Sequence, residues 1–109
     1  MDGIALNAEP PGAKNSYWMV TAVWDPAFGK AKNAVVNAMR ERGVDARPFF
    51  HPLSSLPAYA GRPEAEAARA RNVVAYDVGA RAVNLPSGFN MTPELAERSR
   101  DALLACLRG

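Results

Sequence analysis

Residues 16–24 read SYWMVTAVW, a run of aromatic and β-branched residues that decides which fold the surrounding sequence can adopt. Such residues favour a strand, and the alternation of side chains along a strand places Trp18 and Trp24 on one face. Neither face is plainly polar, because Met19 and Val23 occupy the other one. A strand of this kind needs packing partners on both faces. In a chain this short, the partner for the second face can come from outside the chain.

Helical and strand signals follow this run. DPAFG at 25–29 predicts a turn, and 30–42 predicts a helix whose buried stripe is Ala31, Ala34, Val35, Ala38 and Met39. Gly43 predicts a left-handed cap at the end of that helix. Residues 44–50 predict a second strand, which belongs at a sheet edge because Pro48 has no N–H to donate to a neighbouring strand.

The rest of the sequence predicts two helices, a short strand and a final helix. Pro63 predicts the start of a helix that runs to about Ala70, and 73–82 predicts a further helical segment that Gly79 weakens. A short strand at 83–85 comes next, and Thr92 caps a final helix with Pro93 at its first position. These elements predict the α+β class, as a two-layer sandwich of a small, mainly antiparallel sheet and three to four helices.

A second informative stretch, RPFFHPLSSLPAYAG at 47–61, predicts a shaped loop. Pro48, Pro52 and Pro57 exclude a continuous helix or a central strand. Its apolar side chains form an exposed patch unless a ligand or another protein surface covers them, or unless they pack on their own sheet. His51, the sole histidine, is more typical of a hydrogen-bonded loop residue than of an acid or base, since no carboxylate lies nearby in the sequence to orient it.

Composition limits the class of protein. The 109 residues suffice for one domain, and 49% hydrophobic with 22% charged residues indicates a folded globular chain. The net charge of +2 comes from scattered arginines, which are more typical of a solvated helix surface than of a nucleic-acid-binding patch. Cys106 lies in an apolar stripe, which indicates a buried thiol in a reducing compartment. With no secretory signal and no apolar run of membrane-spanning length, we expect a cytoplasmic protein.

Sequence motifs for catalysis are absent. The chain has no Gly-rich phosphate loop, no HExxH, no CxxC and no GxSxG. The sequence therefore does not predict that this chain runs a reaction alone.

Three stretches do resemble a known family. NSYWMVTAVWD, then ERGVDARPFFHPLSSLPAYAG, then ARAVNLPSGFNMTPE are similar, in order and spacing, to the C-terminal small domain of the DegT/DnrJ/StrS family of sugar aminotransferases. The resemblance runs from about Leu6 to about Leu107, and the opening RPFF is most like the perosamine-synthase-like branch. It implies the small-domain fold of aspartate-aminotransferase-type enzymes, which act as homodimers. It also implies that pyridoxal phosphate carries an amino group from glutamate to a nucleotide-linked keto sugar.

The same resemblance implies that the small and the large domain of the family have different roles. Residues 1–15 are expected to be a linker with the remnant of an incoming strand, and 16–109 the small domain. The family's large domain, which carries the Schiff-base lysine, is absent from the chain. We expect no cofactor bound to this chain alone, because Lys14, Lys30 and Lys32 are not predicted to lie in the buried or cationic setting that lowers a lysine pKa.

The family's substrate cleft lies between the two domains and is lined by the loop at 47–61. The substrate-binding residues implied in this sequence are Arg47, Phe49, Phe50, His51 and Ser54. Arg47 has two open interpretations: it binds the diphosphate of the nucleotide-sugar, or it forms a salt bridge with Asp45 or with a carboxylate of the large domain. Ser54 stands where many relatives carry a histidine, and from residue type alone it is a turn former.

Three functions follow as alternatives. The first is an aminotransferase small-domain fragment, inactive alone, with the large domain supplied elsewhere. The second is a stand-alone, non-catalytic binding or oligomerisation module. The third, a small nucleic-acid-binding domain, depends only on the mild basicity and the aromatic strand, and we expect neither nucleic-acid nor membrane binding.

Overall fold

The computed structural model describes residues 2–109 and shows one antiparallel sheet packed against helices. Within these residues the sheet has four strands in the order β1-β2-β4-β3. The strands are β1 (Ile4–Ala5), β2 (Val20–Trp24), β3 (Arg47–Pro48) and β4 (Ala82–Leu85). The α-helices of the same residues are α1 (Lys32–Glu41), α2 (Pro63–Arg71), α3 (Val73–Ala80) and α4 (Pro93–Arg108). The predicted α+β class is confirmed.

Strands β2 and β4 form the centre of the sheet. Val20 lies opposite Leu85, and Val23 lies opposite Ala82. The strand order places β3 at one edge, where Pro48 pairs with Val83, so the predicted edge position of Pro48 is confirmed.

Helices α1 and α4 contact each other and cover one face of this sheet. Burial of apolar surface between the two layers is the main force that holds them together. The core includes Ala22, Trp24, Val35, Val36, Met39, Val83, Leu103, Cys106 and Leu107. Trp24 also donates from Nε1 to the Lys30 carbonyl at 3.1 Å, which satisfies the polar atom of a buried indole. Cys106 is a free, buried thiol, as predicted.

The first long strand is shorter than its sequence indicates. Strand β2 begins at Val20 rather than at Ser16, because Tyr17 has a φ of 51° and its N–H donates to Asn15 Oδ1 at 2.8 Å. A residue with positive φ cannot continue a strand, so the chain turns before it enters the sheet. Trp18 is consequently exposed and does not reach the core.

The buried face of α1 differs in part from the predicted one, since Val35 and Met39 are buried as predicted and Ala38 packs against the core. Ala31 and Ala34 are exposed, whereas Lys32, Val35, Val36 and Met39 are buried. Sequence periodicity did not determine which of these two stripes of α1 faces the core, and packing against α4 and the sheet selected the second one.

The buried part of α4 begins at Ser99, and Leu95 in its first turn is 37% exposed.

Both predicted helix caps are present. Thr92 Oγ1 accepts from the Leu95 N–H at 3.3 Å, with Pro93 as the first residue of α4. Gly43 has a φ of 72°, and its N–H donates to the Arg40 carbonyl at 2.9 Å.

Replacing Gly43 with alanine is expected to destabilise the chain more than Gly29→Ala does. Both glycines have positive φ, 72° and 61°, where alanine costs about 1–2 kcal/mol. A Cβ at Gly43 would also lie 2.5 Å from Nη2 of Arg98, the atom that donates to the Arg42 carbonyl, whereas among residues 2–109 nothing lies within 4 Å of a Cβ at Gly29. Urea unfolding measures the difference, and equal losses would contradict a role for the Arg98 contact.

Candidate functional site

The loop that follows β3 is the candidate site predicted from sequence. It contains two short 3₁₀ turns, Leu53–Ser55 and Pro57–Tyr59, and it packs on α2. Pro57 occupies the first position of its turn, where the missing N–H costs nothing. The predicted shaped loop is confirmed.

The base of this loop is held by hydrogen bonds on both sides of Phe49. Its N–H donates to the Ala82 carbonyl of β4 at 3.2 Å, and its carbonyl accepts from Lys32 Nζ of α1 at 2.9 Å. The loop then passes directly over α3. A Cβ at Gly79 would lie 3.4 Å from the Phe50 carbonyl oxygen and 3.3 Å from Pro52 Cδ, so the glycine predicted to weaken α3 permits this close approach.

Lys32 is the residue at this site that sequence reasoning missed. The residue is 7% exposed, and desolvation lowers the pKa of its ammonium group. The expectation that none of the lysines lies in a buried setting is therefore wrong for Lys32. The sequence did contain a signal, because Lys32, Val35, Val36 and Met39 follow the i, i+3, i+4, i+7 spacing of one helix stripe.

Arg47 lies at the sheet edge on the face that α1 and α4 leave open. Asn84 of β4 lies between Arg47 of β3 and Thr21 of β2, as the register partner of both. Thr21 Oγ1 donates to Asn84 Oδ1 at 2.8 Å. The Arg47 guanidinium donates to Asp45 at 2.8 Å, so the predicted ion pair is confirmed. Both partners are exposed, and such a pair contributes little to stability. The guanidinium is therefore free to exchange Asp45 for another anion, and its substrate role stays a prediction.

The aromatic and apolar side chains of the loop form an uncovered surface. Phe49 and Phe50 meet edge to face, with ring centroids 5.6 Å apart. Phe49 is partly buried, but Phe50 is 56% exposed and Leu53 75% exposed, and His51 is also exposed. Packing on the domain's own sheet therefore does not account for Phe50 or Leu53.

Ser54 is hydrogen-bonded within the domain. Its Oγ lies 2.9 Å from the hydroxyl of Tyr76 on α3, and either atom can be the donor. Arg69 of α2 lies over the Tyr76 ring, with Cζ 5.4 Å from the centroid. An open cavity of about 350 Å³ adjoins this contact and is lined in part by Ser54, Tyr59 and Arg62. Neither Tyr76 nor Arg69 carried a sequence signal, because the two lie 22 and 15 residues from Ser54 along the chain.

Two of the three lysines, Lys32 and Lys14, are already engaged by groups of this domain. Lys32 Nζ is engaged beneath the loop by the Phe49 carbonyl, and the exposed Lys14 pairs with Glu9 at 3.6 Å.

Neither a metal site nor a membrane-spanning helix is found in the part of the chain that the structure describes. Within residues 2–109, no group of three or more His, Cys, Asp or Glu side chains is arranged to hold a metal ion. In the same part of the chain, no helix combines the length and the apolar character needed to cross a bilayer.

Comparison with known proteins covers most of the chain. The profile of the DegT/DnrJ/EryC1/StrS aminotransferase family matches residues 1–103. The chain is 28% identical over 82 residues to the GDP-perosamine synthase of Vibrio cholerae, an alignment that covers 75% of this chain and 21% of that protein. The chain thus spans about a fifth of the length of the curated relative it matches.

Tyr76→Phe is expected to lower the free energy of unfolding by about 0.5–1.5 kcal/mol, because it removes the hydrogen bond between the loop and α3. Tyr17→Phe is the matched control, since that hydroxyl is exposed and approaches Glu9 only at 3.4 Å. Urea denaturation with hydrogen exchange of the Ser54 and Ser55 amides measures the effect. Equal behaviour of the two variants would show that the Ser54 contact does not order the loop.

Proposed function

This chain belongs to the DegT/DnrJ/EryC1/StrS aminotransferase family, and we propose that it forms the small domain of a nucleotide-sugar aminotransferase. The complete enzyme moves the amino group of glutamate to the keto group of a nucleotide-linked sugar. The similarity to a protein named GDP-perosamine synthase supports a nucleotide-linked amino sugar as the product. Resemblance to the same branch supports a 4-keto-6-deoxy sugar as the acceptor.

In this proposal residues 16–109 are the small domain, and residues 1–15 are a linker that contributes β1. The cofactor and its lysine belong to a large domain outside residues 1–109, and the enzyme works as a homodimer in the cytoplasm. Pyridoxal phosphate supplies the amino-transfer chemistry in that large domain. The part of the chain described here contributes one wall of the substrate cleft and is inactive alone.

The observation that carries the proposal is the uncovered loop surface beside an exposed arginine. Phe50 and Leu53 remain largely in solvent, although the same domain buries Trp24 and Met39 almost completely. The exposed ring of Phe50 and the exposed Leu53, in the loop that begins at Arg47, suit a ligand that combines planar or apolar parts with a diphosphate. A nucleotide-sugar has this composition.

Five residues of the loop have proposed roles. Arg47 exchanges Asp45 for a phosphate oxygen, because guanidinium donors match phosphate geometry. Phe49 and Phe50 present ring surface to the sugar or base, and His51 donates to or accepts from substrate hydroxyls. Ser54 shares a hydrogen bond with Tyr76, and its hydroxyl keeps a further lone pair for a substrate hydroxyl.

The direct test uses the complete protein that contains this domain. Incubated with pyridoxal phosphate, glutamate and a GDP-linked 4-keto-6-deoxy sugar, it is expected to yield the corresponding amino sugar, identified by mass spectrometry. A panel of other nucleotide-linked keto sugars defines the acceptor. Absence of amino transfer to every member of the panel would overturn the proposal.

Arg47→Ala is expected to raise KM for the nucleotide-sugar about ten- to a hundredfold in the complete enzyme, through loss of a charge-assisted contact. The half-reaction with glutamate and the absorbance of the bound cofactor should not change. Arg40→Ala removes the same charge from an exposed position on α1 and serves as the control. An unchanged KM with a lowered Tm would assign Arg47 to structure instead.

A further inference from the structure

We propose that Lys32 is a positioning residue, whose ammonium group holds the Phe49 carbonyl and so sets where Phe49, Phe50 and His51 stand in the substrate cleft. The inference rests on the proposed function of the loop. Lys32 lies outside the three stretches that carry the family resemblance, between NSYWMVTAVWD and ERGVDARPFFHPLSSLPAYAG.

The geometry of the contact is specific. Lys32 Nζ lies 2.9 Å from the Phe49 oxygen and joins the first turn of α1 to the end of β3, 17 residues further along the chain. The oxygen belongs to the planar peptide unit that joins Phe49 to Phe50. Because β4 holds the Phe49 N–H as well, both backbone hydrogen-bonding groups of this residue have fixed partners. The direction in which the chain leaves the sheet toward Phe50 is therefore set at this point.

The position of Lys32 in α1 supports a role beyond packing. It occupies the first place of the buried stripe that continues with Val35, Val36 and Met39, where an apolar residue would pack without a desolvation cost. An ammonium group there is disfavoured by burial, which is why its pKa is lowered. The carbonyl of Phe49 offsets part of that cost, so the lysine is explained by its contact with the loop rather than by the core.

At the loop base, Lys32 supplies the side-chain hydrogen bond, while the Phe49 N–H is held by the backbone of β4 and Ser54 is held further along by Tyr76. Gly79 of α3 lies against the Phe50 carbonyl and Pro52, which supports the loop from below without a hydrogen bond from a side chain. Further along, Leu53 is 75% exposed. A change at Lys32 is thus expected to move the rings of the loop while the core between the sheet and α4 remains in place.

The test is Lys32→Met in the complete enzyme, because methionine keeps the apolar contacts of the stripe and removes the donor. KM for the nucleotide-sugar is expected to rise about tenfold, while the glutamate half-reaction and the cofactor absorbance stay unchanged. Lys30→Met removes the same charge from a partly exposed position two residues earlier and should leave KM unaltered. Lys32→Arg keeps a cationic donor and should recover part of the loss.

A second measurement does not depend on the reaction. In NMR spectra of this 109-residue chain, Lys32→Met is expected to shift the amide signals of Phe50 and His51, leaving those of α4 in place, whereas Lys30→Met shifts neither set. Lys32→Leu, which also lacks a donor, provides the same test if the methionine variant does not fold. Unchanged loop signals would overturn the inference, as would shifted signals with an unchanged KM in an active enzyme. An enzyme that transfers no amino group to any nucleotide-sugar would instead overturn the proposed function, and the NMR result would still decide whether Lys32 positions the loop.

Discussion

The pairing of β2 with β4 is the interaction on which the rest of the structure depends. These strands lie about sixty residues apart in sequence, yet Ala22 lies directly opposite Val83 and both are fully buried. Their shared face receives α1 and α4, and their outer edges receive β1 and β3. Because β4 also accepts the Phe49 N–H, the loop proposed to line the substrate cleft starts from the same central pair.

This arrangement makes the two sides of the domain unequal. On the helix side, Trp24, Met39 and Leu103 are almost completely removed from water. On the loop side, Phe50 and Leu53 remain in contact with solvent. Large exposed apolar residues grouped in one loop are typical of a binding surface, whereas isolated ones are ordinary. The asymmetry agrees with a domain whose loop side meets a ligand or another domain.

Polar contacts beneath the loop hold its backbone in place and so position the exposed side chains of the loop. Lys32 binds a backbone carbonyl, and Ser54 pairs with Tyr76, so helices α1 and α3 each hold one part of the loop. A largely buried lysine carries a desolvation cost that an apolar side chain would not, and its hydrogen bond to the Phe49 carbonyl offsets part of that cost. Placement of the loop, rather than strength of the core, accounts for these residues.

The sequence by itself determined the fold class, the edge position of Pro48, the caps at Gly43 and Thr92 and the presence of a loop after β3. These features follow from local covalent properties: proline lacks an N–H, and glycine tolerates positive φ. Sequence also indicated which stretch forms the candidate site. Only the tertiary structure decided that Lys32 is buried and that Ser54 meets Tyr76. The spacing of Lys32, Val35, Val36 and Met39 offered one of two possible buried stripes in α1, and only packing of the helix against the sheet selected it. The contact of Ser54 with Tyr76 joins residues far apart in the chain, which no local pattern encodes.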